Sequence, residues 1–519
     1  MASVEIFDVA LAVLIAVLIA GVCRNRGWSS AIPLMAAGIA IGLAPIGPEG
    51  LAHPEFVLVV VLAPLVFGEG LTSSVVDLRK VSRPIMALAV GLVVFGAVVV
   101  GFVAQLVVPG IWVSMAFALG AILGPTDAVA VSATARKAGL PRRLVNVLEG
   151  ESLVNDGTAL TLLRVCSVAA AAGSVTAGEA SVILLTSVAG GVLVGGAAGW
   201  LLMTVVRRSR DTTVANAAIL LAPLPVYLGA EALEGSGILA VVVAALVVAH
   251  GTSNVVSYTG RLQATSLWVI FTFVLQSTAF FLVGLEMPRV LEQMPSSQIR
   301  TLVIAVPVVF LSLVAARFAF VYLMAMIAGR DLRNPAWLVA AWAGTRGPVS
   351  ALAAFTVPVT TAAGDKIPFR ELVISITFGV VLLSLLLAPT IAWLARAVHL
   401  PQDDDRAMKR RVRVTLARAA LDRLEQIEET SERADDPLPP EMVDRLRTAA
   451  EGRLDHASRV AELGDAPRPA SHTTMRQVSV EMMRAEQEEL LRLRDREGLP
   501  DEIVREMQRE IDLRIRTLG

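Results

Sequence analysis

Three short runs hold the residues whose types and spacing could do chemistry. The first, residues 148–158, reads Leu-Glu-Gly-Glu-Ser-Leu-Val-Asn-Asp-Gly-Thr. Ser152 and Asp156 are four apart, so on a helix they share a face, with Asn155 beside Ser152. A hydroxyl, an amide oxygen and a carboxylate together form the ligand set of a small hard cation that has shed water. Without a cation, a buried aspartate keeps a proton, because an uncompensated charge is costly away from water. A single carboxylate that holds either a proton or a metal cation makes the two competitors, and that competition is the chemistry of exchange. The second run, residues 124–129, reads Gly-Pro-Thr-Asp-Ala-Val. A proline there removes a helical hydrogen bond and frees backbone carbonyls, and Thr126 and Asp127 add hard oxygens. The third, residues 344–350, reads Gly-Thr-Arg-Gly-Pro-Val-Ser, a second glycine and proline interruption with one charge, Arg346. Glu151 lies off the Ser152–Asp156 face. Arg346 is the counter-ion expected for it, as a scaffold pair and not as a ligand.

These runs must be positioned by very apolar elements. The 519 residues are 55% hydrophobic and 18% charged, with a mean hydropathy of +0.67. A soluble domain of this length would not average so apolar, so the composition indicates an integral membrane protein. Charge is concentrated at one end: residues 401–519 hold 49 of the chain's 91 Asp, Glu, Lys and Arg side chains. The net charge of −1 therefore adds two unlike halves and indicates no nucleic-acid partner. Cys23 and Cys166 both fall inside apolar runs, which excludes a disulfide framework and a cysteine zinc site.

Thirteen stretches are apolar enough to be read as membrane spans, about 5–23, 31–47, 54–71, 84–108, 112–135, 144–172, 181–206, 214–232, 236–252, 265–287, 301–328, 335–361 and 371–398. They lack strand alternation and read as helices. The first carries Glu5 and Asp8 where a cleaved signal would be basic. One alternating set of connections carries fifteen basic residues, among them Arg79, Arg83, Arg142 and Arg143, and the other set four. That asymmetry puts the first set in the cytoplasm, the N-terminus outside and the C-terminal tail inside.

Ionisable residues far from the ends of these stretches are few: Glu69, Asp127, Glu149, Glu151, Asp156, Arg164, Arg317 and Arg346. Each is a functional-site hypothesis, because a charge at that depth is expensive. The two interrupted segments lie seven spans apart. Two six-helix repeats of opposite orientation around a linking seventh helix would give that spacing, and a transporter site is sought where such breaks meet. His250 and Gln276 read more simply as structural polar groups. Arg164 and Arg317 either pair with acids of the core or extend to an interface.

Taken together, the three runs resemble the sodium/proton antiporters of the first monovalent cation:proton antiporter family, prokaryotic relatives of the eukaryotic sodium/hydrogen exchangers. Ser236–Val241 and Phe281–Leu285 are similar to later segments of that family, so the resemblance covers the whole membrane half. It implies an all-α membrane protein of thirteen transmembrane helices, with six-helix inverted repeats and two broken crossing helices. It also implies a homodimer in which a six-helix core moves as an elevator, in a bacterial plasma membrane. Asp156 would carry the ion or the proton. Asn155, Ser152, Thr126 and the carbonyls near Val129 would complete the coordination of Na+ or Li+. Asp127 would balance the helix ends at the break, and Glu151 would pair with Arg346. Relatives with Asn before the key Asp look electroneutral, so Asn155 implies one-for-one exchange. No cofactor is implied, and the cargo is a monovalent cation and protons.

The third segment departs from the family pattern, reading Ala63-Pro64-Leu65-Val66-Phe67-Gly68-Glu69 where two prolines and an earlier acid are usual. A shift of one residue turns a helical side chain by about 100°, so Glu69 is either an ion ligand or a carboxylate of the cytoplasmic funnel. Potassium in place of sodium, and a cation channel or sensor in place of an exchanger, are the competing readings. Residues 401–519 form a second, cytoplasmic helical domain by their rhythm, with helices over about 407–432, 440–463, 475–496 and 500–517 and a Pro/Ala linker from Gly464 to Ser471. Its finely mixed charge suits a folded domain; the stretch 489–513 resembles C-terminal ends of bacterial members of the family, which implies a regulatory role, and no motif in it names a ligand.

Overall fold

The structure is a computed structural model that describes residues 2–44, 54–127, 140–173, 175–209, 211–252, 258–329, 335–398, 405–431 and 439–462. Among these residues every regular element is helical, and β pairing is limited to one isolated bridge between Thr360 and Lys366. The chain divides into two compact units at Asp403.

The first unit begins with α1 (Ala2–Asn25), α2 (Ala31–Gly42), α3 (Pro54–Thr72) and a short α4 (Val75–Lys80). The next span is continuous from Ser82 to Val107: α5 (Ser82–Met86), one π-helical stretch (Ala87–Leu92) and α6 (Val93–Val107). Then come α7 (Val113–Ile122), α8 (Arg142–Ala172), α9 (Ala177–Arg208), α10 (Thr212–Leu221), α11 (Pro223–Ala232), α12 (Gly237–Thr252), α13 (Tyr258–Gln293) and α14 (Ile299–Ile327). The unit closes with α15 (Ala336–Trp342), α16 (Pro348–Phe355), α17 (Arg370–Leu387) and α18 (Thr390–Ala397).

Six of the described helices are long and apolar enough to cross a bilayer, or seven if α10 and α11, bent by 41° at Ala222–Pro223, count as one. Five shorter apolar helices lie among them. Several of the thirteen apolar stretches are interrupted among the described residues. Pro223 follows one helix, Gly124–Pro125 ends α7, and 343–347 separates α15 from α16. Helix α9 shows what surrounds the bundle. Its most apolar window is only 22% buried by protein. Leu193, Trp200 and Leu201 point outward, as expected where hydrocarbon is the solvent.

Inside, small residues let backbones touch, as membrane helix packing requires in the absence of a hydrophobic drive between helices. Helices α2 and α13 show this most clearly. A Cβ on Gly38 would overlap the Phe281 carbonyl, and one on Gly284 would overlap that of Met35. One core cluster gathers Met115, Leu119, Ile122 and Val380, and a second gathers Leu34, Leu62, Leu153 and Phe281.

In the second unit, α19 (Asp405–Ser431) and α20 (Pro440–Glu462) are described. They lie close to the two helices expected there, bury Val443 and Ala450, and pair Arg447 with Glu428. The expected linker and the helices over 475–496 and 500–517 fall outside the described residues.

Candidate cation site

The site is built where two chain interruptions meet the middle of α8. After α7 the backbone leaves the helix at Gly124–Asp127, and between α15 and α16 it runs non-helical from Ala343 to Gly347. Freed backbone groups cannot stay unpaired at membrane depth, and here each break serves the other. The Asp127 N–H donates to the Thr345 carbonyl at 2.9 Å. The Arg346 N–H donates to Ser384 Oγ of α17 at 2.9 Å. The crossing is tight enough to need glycine. A Cβ on Gly347 would stand 2.7 Å from both Cβ and Oδ2 of Asp127. That contact also places the Asp127 carboxylate at the start of α16, where a helix end favours negative charge.

Helix α8 supplies the side chains that face the first break. The Ser152 hydroxyl donates to the Thr126 carbonyl, and Asn155 Nδ2 donates to Thr126 Oγ1 at 2.8 Å. Because the amide nitrogen is engaged, Asn155 Oδ1 is left as an acceptor. It is buried without a hydrogen-bond partner among the described residues, as are Asp156 Oδ1, Thr345 Oγ1 and Ser350 Oγ. Unpaired buried acceptors are costly, and oxygens of this kind are what a hard cation takes as ligands. Beside them is a cavity of about 10 Å³ lined by Glu69, Thr126, Asp127, Asp156, Gln276 and Gly347, among others. That is space for about one water-sized particle. No group of three or more His, Cys, Asp or Glu that could hold a metal occurs among the described residues; the oxygens gathered here belong to hydroxyl, amide and carboxyl side chains.

Ser152, Asn155, Asp156, Thr126 and Asp127, expected from sequence, therefore lie together and are all buried. Glu69 comes from α3 to the same cavity and is partly exposed. Val129 lies outside the described residues.

The pairing expected for Glu151 is corrected. Its carboxylate is held by Arg317 of α14, from both Nη1 and Nη2, the latter at 2.8 Å. Arg317 also donates to the Ala340 carbonyl from Nε at 3.3 Å and Nη2 at 3.1 Å. Arg346 is buried near this pair, yet its Nε and Nη1 find no acceptor among the described residues. The physical reason is reach: Arg317 crosses from a packed neighbouring helix and presents a fork that matches the carboxylate, whereas the backbone around Arg346 is committed to Ser384. Gln276, which sequence reasoning left as structural, is on the cavity wall. The signal was an amide in an otherwise apolar run. Arg164 of α8 pairs with Glu231 at 3.3 Å and donates to the Gly235 carbonyl at 2.6 Å.

Comparison with known proteins agrees with this architecture. Residues 10–396 match the family described as the transmembrane sodium/hydrogen exchanger. The chain is 30% identical to YjcE of Escherichia coli, described as an uncharacterised Na+/H+ exchanger, over 98% of both chains. It is 26% identical to a sodium, potassium, lithium and rubidium/H+ antiporter of Bacillus subtilis, over 97% of this chain and 77% of that one. Its fold is similar to the sodium proton antiporter MjNhaP1 of Methanocaldococcus jannaschii, with a TM-score of 0.64 at 18% identity, covering 76% of this chain and 99% of that one. A family match over three quarters of the chain, carried by a multi-pass helical bundle, means that this protein belongs to the sodium/hydrogen exchanger family.

Proposed function

We propose that the protein exchanges Na+, or Li+, for H+ across a bacterial plasma membrane, one for one. Asp156 is the group that takes either the proton or the cation. Ser152, Asn155, Thr126 and a carbonyl near Val129 complete the cation's shell, and Asp127 steadies the crossing of the two breaks. The observation that carries this reading is a buried Asp156 carboxyl on a one-particle cavity, with orphaned oxygens around it, where two interrupted helices meet. A cavity of that size suits a dehydrated ion moved in occluded form and not a continuous pore. Asn155 contributes no second charge, which supports electroneutral exchange. Glu69 on the cavity wall acts as a further ligand or as the entrance carboxylate.

The rest of the reading follows from the family resemblance and the charge asymmetry. It comprises thirteen spans in two inverted repeats, the N-terminus outside, residues 401–519 as a cytoplasmic regulatory domain, and a homodimer whose six-helix core slides against a fixed scaffold. Everted vesicles containing the protein should show Na+-dependent proton movement with no net current, and Asp156→Asn should abolish it. Retained exchange in Asp156→Asn would overturn the assignment. Potassium is the second reading, favoured by a Bacillus subtilis relative whose name includes potassium and rubidium. A titration of each cation in the same vesicles separates the two.

A further inference from the structure

A second cavity, of about 1050 Å³, is bounded by α4 and α5, the start of α8, the end of α14 and the start of α15. It combines two chemistries. Arg79, Arg83 and Arg143 line it as exposed cations, and none of their guanidinium groups has an ion-pair or hydrogen-bond partner among the described residues. Lys80 also lines it but is committed, donating to Asp77 at 2.8 Å. Asp77 is engaged by Lys80 and by the Ser74 hydroxyl, and the charged side chains that line the recess are all cationic. The recess therefore has a surplus of positive charge.

The deeper wall is apolar. Leu88, Val147, Val321, Ala325 and Ala340 line it and are largely buried by the surrounding protein. Filling such a recess with water leaves apolar wall wet, which an acyl chain would cover. Trp337 lines the same recess and meets Tyr322 edge-on at 5.5 Å between ring centroids. Aromatic pairs of this kind gather at the depth of lipid headgroups.

We propose that this recess binds one anionic glycerophospholipid, its phosphate on Arg79, Arg83 and Arg143 and an acyl chain along the apolar wall. Guanidinium groups match phosphate oxygens in pairs, and basic pockets between membrane helices suit such headgroups. The recess is separate from the cation site, but it shares helices with it. Val147 lies little more than one turn before Ser152 on α8, and α15 leads directly into the break at 343–347. An occupied recess braces the approaches to both.

The test uses the full chain, purified in detergent and stripped of lipid, with binding followed by native mass spectrometry. Phosphatidylglycerol should bind saturably and more tightly than phosphatidylcholine of the same chains. Arg79→Gln, Arg83→Gln and Arg143→Gln should each weaken phosphatidylglycerol about fivefold, and the triple variant on the order of a hundredfold. Phosphatidylglycerol with six-carbon chains should bind far more weakly than the long-chain lipid to the unaltered protein, a comparison that needs no variant to fold. Equal binding of the two headgroups, or wild-type affinity in the triple variant, would overturn the proposal. So would competition by glycerol 3-phosphate at the concentration at which the lipid binds, since that would mark a site for free phosphate.

Discussion

The Glu151–Arg317 pair offers the sharpest test of the architecture around the cation site. Both side chains are almost fully buried, at 2% and 4% exposure, and the carboxylate takes both ends of the guanidinium fork. Replacing Arg317 with Met removes the partner but keeps a side chain of similar length. It leaves a buried carboxylate without compensation, together with an Ala340 carbonyl that loses both of its donors. Breaking a buried pair in this way costs about 3–5 kcal/mol, whereas removing both charges together is often close to neutral. Arg317→Met should therefore lower the thermal midpoint of the detergent-purified protein by several degrees. Adding Glu151→Gln should recover most of that loss. Arg346→Met should show no such coupling to Glu151→Gln, because its guanidinium does not hold the carboxylate. The measurement is a double-mutant cycle followed by intrinsic tryptophan fluorescence on heating. If Glu151→Gln rescued Arg346→Met and left Arg317→Met unrelieved, the pairing described here would be wrong.

Three further outcomes follow from the same contacts. Thr126→Val removes the acceptor of Asn155 Nδ2 and leaves an amide N–H unpaired at a cost of about 1–3 kcal/mol. The Na+ half-saturation in vesicles should rise roughly tenfold or more, and Thr126→Ser should stay near wild type. Gly38→Ala forces a methyl group into the Phe281 backbone. Overpacking of this kind costs about 1–3 kcal/mol, and it should appear as a lower thermal midpoint and less monodisperse protein on gel filtration. Arg164→Gln breaks an ion pair whose partners are 27% and 37% exposed. Such a pair is worth about 1 kcal/mol at most, and the lost bond to the Gly235 carbonyl about 1 kcal/mol more, so the thermal midpoint should move less than in Arg317→Met.

What was legible in the sequence was what depends on near neighbours along the chain. Pro125 and the Gly344–Pro348 run break helices by their own chemistry, so both interruptions could be located without coordinates. Ser152, Asn155 and Asp156 sit three and four apart, and a single helix settles their common face. The Glu151 partner was not legible, because three arginines, Arg164, Arg317 and Arg346, were eligible and the one that reaches it lies 166 residues away. Which arginine crosses is decided by the packing of α14 on its neighbours, and no local pattern encodes that. Glu69 illustrates the middle case. Its turn of helix could be reasoned about, but its arrival on the wall beside Asp156 depends on how α3 is set against α8. Gln276 was visible as an amide in an apolar run, and only the cavity shows what it faces.

The π-helical stretch at Ala87–Leu92 carries a consequence for how this span can change over time. Buried positions there recur every four residues, as Ile85, Ala89, Val93 and Ala97, and again as Leu88, Leu92, Gly96, Val100 and Ala104. An ideal helix repeats every 3.6 residues and would carry such a ladder gradually around its axis, whereas a wider π turn slows that drift. The first half of the span thereby reaches one core cluster, with Val147 and Val321, and the second half reaches another, with Met115 and Leu119. The span thus has a fixed residue count between two anchors. Substitutions within 87–92 that keep their size should be absorbed. Loss of one residue within 87–92 would let the turn close to an ordinary helix with the faces on either side kept, whereas loss of one elsewhere between the two anchors would swing everything beyond it by about 100°. The π turn is therefore the one place in this span where a change of length can be absorbed.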